Sequence, residues 1–264
     1  MPAARIVLWV TSIGAVALLV RSLMVGPIPL GLASALLAAY AVLTAVGWFF
    51  PRLQMYGDAL WRGRPGQNRV ALTFDDGPNP QSTRKVLREL ERSGHRATFF
   101  VLGAKARAHP EVVREIHAAG HTLAIHGFIH DRLYAFKPPR RVVDDIRAAQ
   151  DAVAHACGVR PTLFRPPLGH VGPRTAAGAK RAGVRLVAWS AKGLDGFAGS
   201  RPERVLRRVV HGLRDGAIVL LHDAAERDDY EPAGVGILPR LLQTIDQRGL
   251  RTVGVEEFAA EDDD

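Results

Sequence analysis

Val70-Ala71-Leu72-Thr73-Phe74-Asp75-Asp76-Gly77-Pro78 is the stretch from which the rest of this 264-residue chain is read. An apolar, strand-forming run ends on two adjacent carboxylates, and Gly77-Pro78 then turns the chain. Carboxylates at the end of a buried strand are costly to place without a compensating partner. Neighbours along an extended chain point to opposite faces, so Asp75 and Asp76 cannot do the same job. One carboxylate on a metal, with the other held free beside it, answers both constraints. Asp-Asp-Gly-Pro is also ordinary turn chemistry, and these residues alone leave the two readings evenly matched.

Outward from this stretch, short β-rich runs alternate with amphipathic helical patterns. Strands are expected at Val70–Phe74, Thr98–Leu102, Thr122–Ile125, Thr162–Arg165, Arg185–Trp189, Ala217–Leu221 and Thr252–Val255. Helices are expected at Thr83–Arg92, Pro110–Ala119, Arg141–Ala156, Arg174–Ala182, Pro202–Leu213 and Leu238–Arg248. Such alternation implies βαβ units and a parallel sheet, here of seven strands closed or nearly closed into a barrel. Asp75, Asp76, His126, Arg165, Asp195 and His222 each end or follow a strand. In a parallel barrel these positions share one face, the face on which active sites are built.

The first fifty residues are of another kind. Ile6–Val25 is apolar apart from Arg21, and Leu30–Phe50 carries no charge over 21 residues, enough to span a bilayer. Gly26-Pro27-Ile28-Pro29 separates the runs, no cleavage site follows the first, and Trp48, Phe49 and Phe50 stand where interfacial aromatics belong. We therefore expect a membrane anchor over 1–52, a helical hairpin with spans at about 6–25 and 30–50. A linker over 53–67, a catalytic domain over 68–258 and an acidic tail over 259–264 would follow. Arg5 before the hairpin and Arg52, Arg62 and Arg64 after it favour a cytoplasmic domain by the positive-inside rule; a single span over Leu30–Phe50 would place it outside.

The chain holds 35 Lys+Arg against 26 Asp+Glu, a net charge of +9. The arginines are scattered along helices without interleaved aromatics, and no nucleic-acid motif accompanies them. A membrane surface or an anionic glycan or phospholipid fits that charge equally well. Cys157 is the only cysteine, so an intramolecular disulfide is excluded.

His126-Gly127-Phe128-Ile129-His130 spaces two imidazoles four residues apart. If the segment enters a helix, both leave one face, as two ligands of one metal must. With Asp76 they form a two-histidine, one-carboxylate set that leaves metal positions open. In a chain with 10 His, the pair alone would be weak evidence. Phe164-Arg165-Pro166-Pro167-Leu168-Gly169 is a stiff loop that aims Arg165 or a backbone N–H; its plain alternative is a solvated Arg. His222, ending the run Leu220-Leu221, is either a satisfied core histidine or a general acid beside a carboxylate such as Asp195.

Thr73–Pro78, His126–His130, Arg165–Gly169, Asp195 and Leu220–His222 resemble, in order, the five motifs of polysaccharide deacetylases of the NodB-homology type, carbohydrate esterase family 4. The resemblance covers most of the chain beyond the anchor and implies an α/β fold, a distorted (β/α)7 barrel like a TIM barrel. It implies a hydrolase of carbon–nitrogen amide bonds that removes N-acetyl groups from an amino-sugar glycan such as a polysaccharide, peptidoglycan or chitooligosaccharide. Asp76, His126 and His130 would hold a divalent metal, most often zinc. Asp75 would be the general base oriented by Arg165, and His222 the general acid oriented by Asp195. The backbone N–H of Leu168 would face the oxyanion.

Four positions depart from the family pattern: Gly127 replaces Ser or Thr, Leu168 an aromatic, and Lys192 and Gly196 stand where a second Asp and a Trp are usual. The chemical groups are kept and those that shape a sugar subsite are changed. The sequence thus points to a membrane-anchored, metal-dependent deacetylase acting on an N-acetylated glycan. A lipid-linked amino sugar at the inner leaflet is the alternative substrate. A non-catalytic glycan-binding module is the rival from another class, and a two-histidine, one-carboxylate oxygenase a further one.

Overall fold

The computed structural model describes residues 1–262. It opens with two helices, α1 (Ala3–Val25) and α2 (Leu30–Phe49), which meet at the Gly26–Pro29 connection. They are apolar on all sides and bury almost nothing, with Gly47 the one buried residue between them. A helix apolar all round with no protein to cover it has the character of a membrane span.

The chain then runs through β1 (Ala59–Leu60), β2 (Arg69–Asp75), α3 (Ser82–Ser93), β3 (Thr98–Val101), α4 (Gly103–Ala108), α5 (Pro110–Ala118) and β4 (Thr122–Ile125). It continues with α6 (Pro139–Cys157), β5 (Leu163–Phe164), α7 (Pro173–Ala182), β6 (Arg185–Val187) and β7 (Ala191–Lys192). The last elements are α8 (Pro202–Gly212), β8 (Ile218–His222), α9 (Ala233–Gln247), β9 (Arg251–Thr252) and α10 (Val255–Asp262).

Every strand pairing is parallel, in the order β1-β6-β5-β4-β3-β2-β8-β7, with β9 on β2. Residues 185–192 form one bent segment whose first part pairs with β5 and β1 and whose second part pairs with β8. At the bend, Ala188 N donates to Leu60 O (2.8 Å) and Ser190 N to Ile218 O (3.0 Å). One segment thereby touches both sides of the sheet, and the sheet curls into a distorted barrel.

β2 is buried along its whole length, as expected of a central parallel strand. Phe74 stacks on Phe99 of β3 at 5.3 Å between centroids, and both are fully enclosed. Around the sheet, helices present apolar residues at helical spacing, such as Val86, Leu87 and Leu90 of α3. Truncating a ring such as Phe74 to Ala would cost about 3–5 kcal/mol.

Because all strands run the same way, their C-terminal ends share one face. It receives Asp75 from the end of β2, His126 after β4, Arg165 after β5, Asp195 beyond β7 and His222 at the end of β8.

Several expectations are corrected. Among the described residues the sheet has nine strands, because β1 and β7 are two-residue pairings outside the runs read as strands. β1 lies inside the stretch read as a linker, where Arg62 also bridges to Ala217. The helix expected from Leu238 begins at Ala233, and Pro239 is accommodated inside it. The acidic end is helical as far as Asp262, since Glu261 is drawn into an ion pair with the buried Arg69; Asp263 and Asp264 lie outside the described residues. His126–His130 is a loop, with no helix behind the four-residue spacing.

Candidate active site

Asp75 ends β2 and Asp76 begins the turn with φ of +73°, a left-handed conformation that Asp tolerates better than most residues. This change of backbone, more than strand alternation, separates the two carboxylates.

Asp75 faces Arg165, whose Nη1 donates to Asp75 Oδ1 at 2.6 Å and to Thr73 Oγ1 at 2.9 Å. Arg165 Nη2 donates to Ala188 O at 3.1 Å, and the guanidinium lies 4.0 Å from the Phe100 ring centroid. The Arg is fully buried and held through both Nη atoms, while its Nε has no hydrogen-bond partner. Burial raises the Asp75 carboxyl above its ordinary range, the Arg165 charge working against that rise. A carboxyl made more basic by burial, with a cation held against it, suits a proton acceptor.

Asp76 lies among imidazoles. His126 Nε2 is 3.4 Å and His130 Nε2 3.7 Å from Asp76 Oδ1. One ligand atom from each of the three residues lies within 4.8 Å of the others. His126 Nδ1 is 2.8 Å from Arg165 O, a carbonyl that can only accept, so Nδ1 carries the hydrogen and Nε2 turns a lone pair toward Asp76. Burial presses His126 down to about 3, which keeps the ring neutral. Asp76 Oδ1 and His130 Nδ1 are buried without a hydrogen bond. An unpartnered carboxylate oxygen with two imidazole Nε2 atoms converging on it fits a divalent cation of the zinc type.

The third part is Asp195, fully buried beyond β7, which accepts from the backbone N–H of His222 at 2.9 Å and lies 3.1 Å from its Nδ1. Burial opposes charge on His222, but Asp195 outweighs it, with smaller help from Asp76 and Asp75, and the ring is raised to about 9. His222 is therefore a proton donor at neutral pH. A cavity of about 630 Å³ opens over all three parts and is lined also by Leu168, Trp189, Lys192, Leu194 and Phe197.

The structure thus gathers every site residue read from the sequence. Gly127 holds φ of +91°, and a Cβ there would stand 3.2 Å from Asp145 Oδ1, which accepts the Phe128 N–H at 3.0 Å. Glycine lets the loop bend so that both imidazoles turn toward Asp76, in place of the helical spacing first considered. At Gly196 a Cβ would come 2.7 Å from the His222 ring, which leaves no room for a side chain. Lys192 is exposed at the rim, and Leu168 holds φ of +59° and stands half open to the cavity.

Sequence reading missed three residues. Thr73, inside the quoted motif, shares Arg165 Nη1 with Asp75 and donates its own hydroxyl to Val219 O. Glu226 puts Oε2 3.5 Å from His130 Nδ1 and 2.9 Å from Arg132 Nη2. Asp223 is buried under the Asp76–Gly77 turn, accepts from Thr83, and is pushed up to about 7 by burial. Of these only Thr73 left a signal, its place in the motif. A larger cleft of about 1210 Å³ lies between the α1–α2 pair and α7, but its Arg5 and Asp58 neutralise each other at 2.8 Å and it gathers no reactive set.

Comparison with known proteins gives the family. Residues 62–187 match the family model described as polysaccharide deacetylase. A chitooligosaccharide deacetylase of Bradyrhizobium is 38% identical over 169 residues, covering 64% of this chain and 74% of that protein. A peptidoglycan-N-acetylglucosamine deacetylase of Bacillus cereus is 30% identical over 207 residues, covering 78% and 95%. Among solved structures, a family 4 carbohydrate esterase from Streptomyces lividans, in complex with acetate, superposes with a TM-score of 0.63 at 30% identity, covering 70% of this chain and 92% of that one.

Proposed function

The chain belongs to the polysaccharide deacetylase family, and from that premise we propose that it is a membrane-anchored, metal-dependent hydrolase that removes N-acetyl groups from an amino-sugar glycan. The observation that carries this reading is the division of labour between adjacent carboxylates. Asp76 stands with His126 and His130, and Asp75 is tied to Arg165.

Asp76, His126 and His130 would hold the cation. When bound, a divalent ion such as zinc would polarise the acetamide carbonyl and make water easier to deprotonate. Asp75 accepts the proton of the attacking water, with Arg165 holding it in line and ionised. The backbone N–H of Leu168 faces the oxygen on which negative charge gathers. His222 gives its proton to the leaving nitrogen, and Asp195 keeps that ring charged and oriented until it does. Water adds across the amide C–N bond, acetate leaves, and the sugar keeps a free amine.

The curated relatives act on peptidoglycan and chitooligosaccharides by name, which favours an N-acetylated glycan here. A second reading, an amino sugar carried on a membrane lipid, is favoured by α1 and α2, both long and apolar enough to cross a bilayer. As a hairpin they would leave the catalytic domain on the cytoplasmic side. Acetate release from N-acetylated glycans by protein stripped of metal and then resupplied tests the central claim. Full activity in the stripped protein, or none with any acetylated amino sugar, would overturn it. C-terminal reporter fusions decide the side.

A further inference from the structure

Outside Met1, α1, α2 and Phe50 at their end, the large apolar side chains that stay exposed among the described residues are Ile129, Leu133, Phe136, Leu168, Leu194 and Phe197. None lies on the helical flanks or at the N-terminal end of the barrel. All six sit in the segments that follow β4, β5 and β7, on the rim of the candidate active site. Exposed apolar residues scattered singly need no explanation, but six confined to one face do.

Substrate in the cavity accounts for only part of this set. Leu168, Leu194 and Phe197 line the cavity, whereas Ile129, Leu133 and Phe136 do not. Leu133 and Phe136 remain 67% and 59% exposed, and a sugar bound over Asp75 would leave them uncovered.

The same rim is joined to the end of the apolar helices. The Trp48 ring lies 5.0 Å from that of Phe136, and Phe49 meets His170 edge-on at 4.8 Å. Val171 N donates to Trp48 O at 3.4 Å, which ties the loop bearing Leu168 to α2. The aromatic end of an apolar helix marks the level of the membrane interface, so Phe136 and its neighbour Leu133 are held at that level.

Charge agrees with this placement. Arg140 and Arg141 at the start of α6, and Arg201 before α8, are exposed and pair with no carboxylate among the described residues. Nearby, Lys137 is shared between Asp131 and Asp145, and after β8 Glu226 pairs with Arg132 while Asp229 is exposed. An apolar rim set among free arginines matches an anionic bilayer surface.

We propose that the rim of the cavity is a membrane-docking surface. Leu133, Phe136 and Phe197 enter the headgroup region of the bilayer that α1 and α2 cross, and the cavity opens at that surface. The consequence for substrate rests on the deacetylase reading above: the acetamido sugar reaches Asp75 from the bilayer, carried on a lipid or lying against it.

The test uses the full chain in vesicles of phosphatidylcholine and phosphatidylglycerol, with Cys157→Ser as background. Nitroxide labels are placed through Leu133→Cys, Phe197→Cys and, on the opposite end of the barrel, Ser93→Cys. The ratio of oxygen to nickel-chelate collision should be several-fold higher at 133 and 197 than at 93. Equal ratios at the three positions would overturn the docking surface whatever the enzyme does. In parallel, Leu133→Asp should slow acetate release from a lipid-carried N-acetyl sugar about tenfold, because a carboxylate is costly to hold at the interface, and should leave release from a water-soluble N-acetyl oligosaccharide unchanged. Equal loss on both substrates would overturn delivery from the bilayer. Deep labels with no hydrolysis of either substrate would leave the surface standing and reject the deacetylase reading.

Discussion

The two halves of the candidate site are built on opposite rules. Asp75 is bound by Arg165 at 2.6 Å and His222 by Asp195 at 3.1 Å, and among these four residues Arg165 Nε alone is buried without a hydrogen-bond partner. In the other half Asp76 Oδ1, the atom on which both imidazole Nε2 atoms converge, is buried with no hydrogen-bond partner. Buried polar atoms normally find partners, so the second half is complete only with something added. The comparison separates groups arranged to move protons from groups arranged to hold a cation.

The largest effect should come from breaking the first half while sparing the second. Asp75→Asn keeps the shape and removes the proton acceptor, so acetate release should fall by about 10²–10⁴-fold, with zinc retention after dialysis little changed. Full activity in that variant would show that the halves are not divided in this way. His130→Ala should do the reverse first, losing retained metal, and activity as a result.

Asp195→Asn sharpens the same contrast through pH. Asp195 raises His222 to about 9, and an acid must be protonated to act, so the alkaline limb of the rate profile should lie near that value. Without the Asp195 charge the limb should move toward the ordinary histidine value near 6.5. A limb that stays in place would assign it to another group.

How much of this was legible in the sequence follows the same division. Asp75, Arg165, Asp195 and His222 were legible because each sits at or just beyond a strand end, and the run of strands shows through its apolar residues. The way His126 and His130 converge was not, since a four-residue spacing reads as a helix and the loop is set by Gly127 at φ of +91°. β1 and β7 escaped notice because their two paired residues lie outside any longer strand-forming run, unlike the equally short β5 and β9. Glu226 was invisible because its partner His130 lies in another loop, nearly a hundred residues earlier in the sequence.

Glu226 tests whether the second half has its own supports. His126 Nδ1 is fixed by the Arg165 carbonyl, and the carboxylate nearest His130 Nδ1 is that of Glu226 at 3.5 Å, without a formed hydrogen bond. Outer partners of this kind are worth about 10–100-fold in metal affinity. Glu226→Ala should weaken zinc binding in chelator competition by about that factor, and Glu226→Asp should recover part of it. Unchanged affinity would leave Glu226 as no more than the partner of Arg132.

His121 asks whether unsatisfied buried atoms are enough to mark a cation site. Both its ring nitrogens lack partners, as Asp76 Oδ1 does, yet it packs at 5.5 Å from the Phe99 ring and belongs to no ligand cluster. Its deficit should appear as acid sensitivity. Burial, and then the Arg96 charge, lower it from 6.5 to about 4, so the folded chain keeps the ring neutral where the unfolded chain protonates it. Stability on this account is full above pH 6.5 and is lost as pH falls toward 4, a loss of about 1–2 kcal/mol at pH 5. His121→Phe should remove this part of the pH dependence, read as a smaller drop in Tm between pH 7 and pH 5 in detergent. It should leave zinc retention unchanged. If His121→Phe also cost metal, orphaned polar atoms would be a poorer guide to the cation site than the convergence of three ligands on one point.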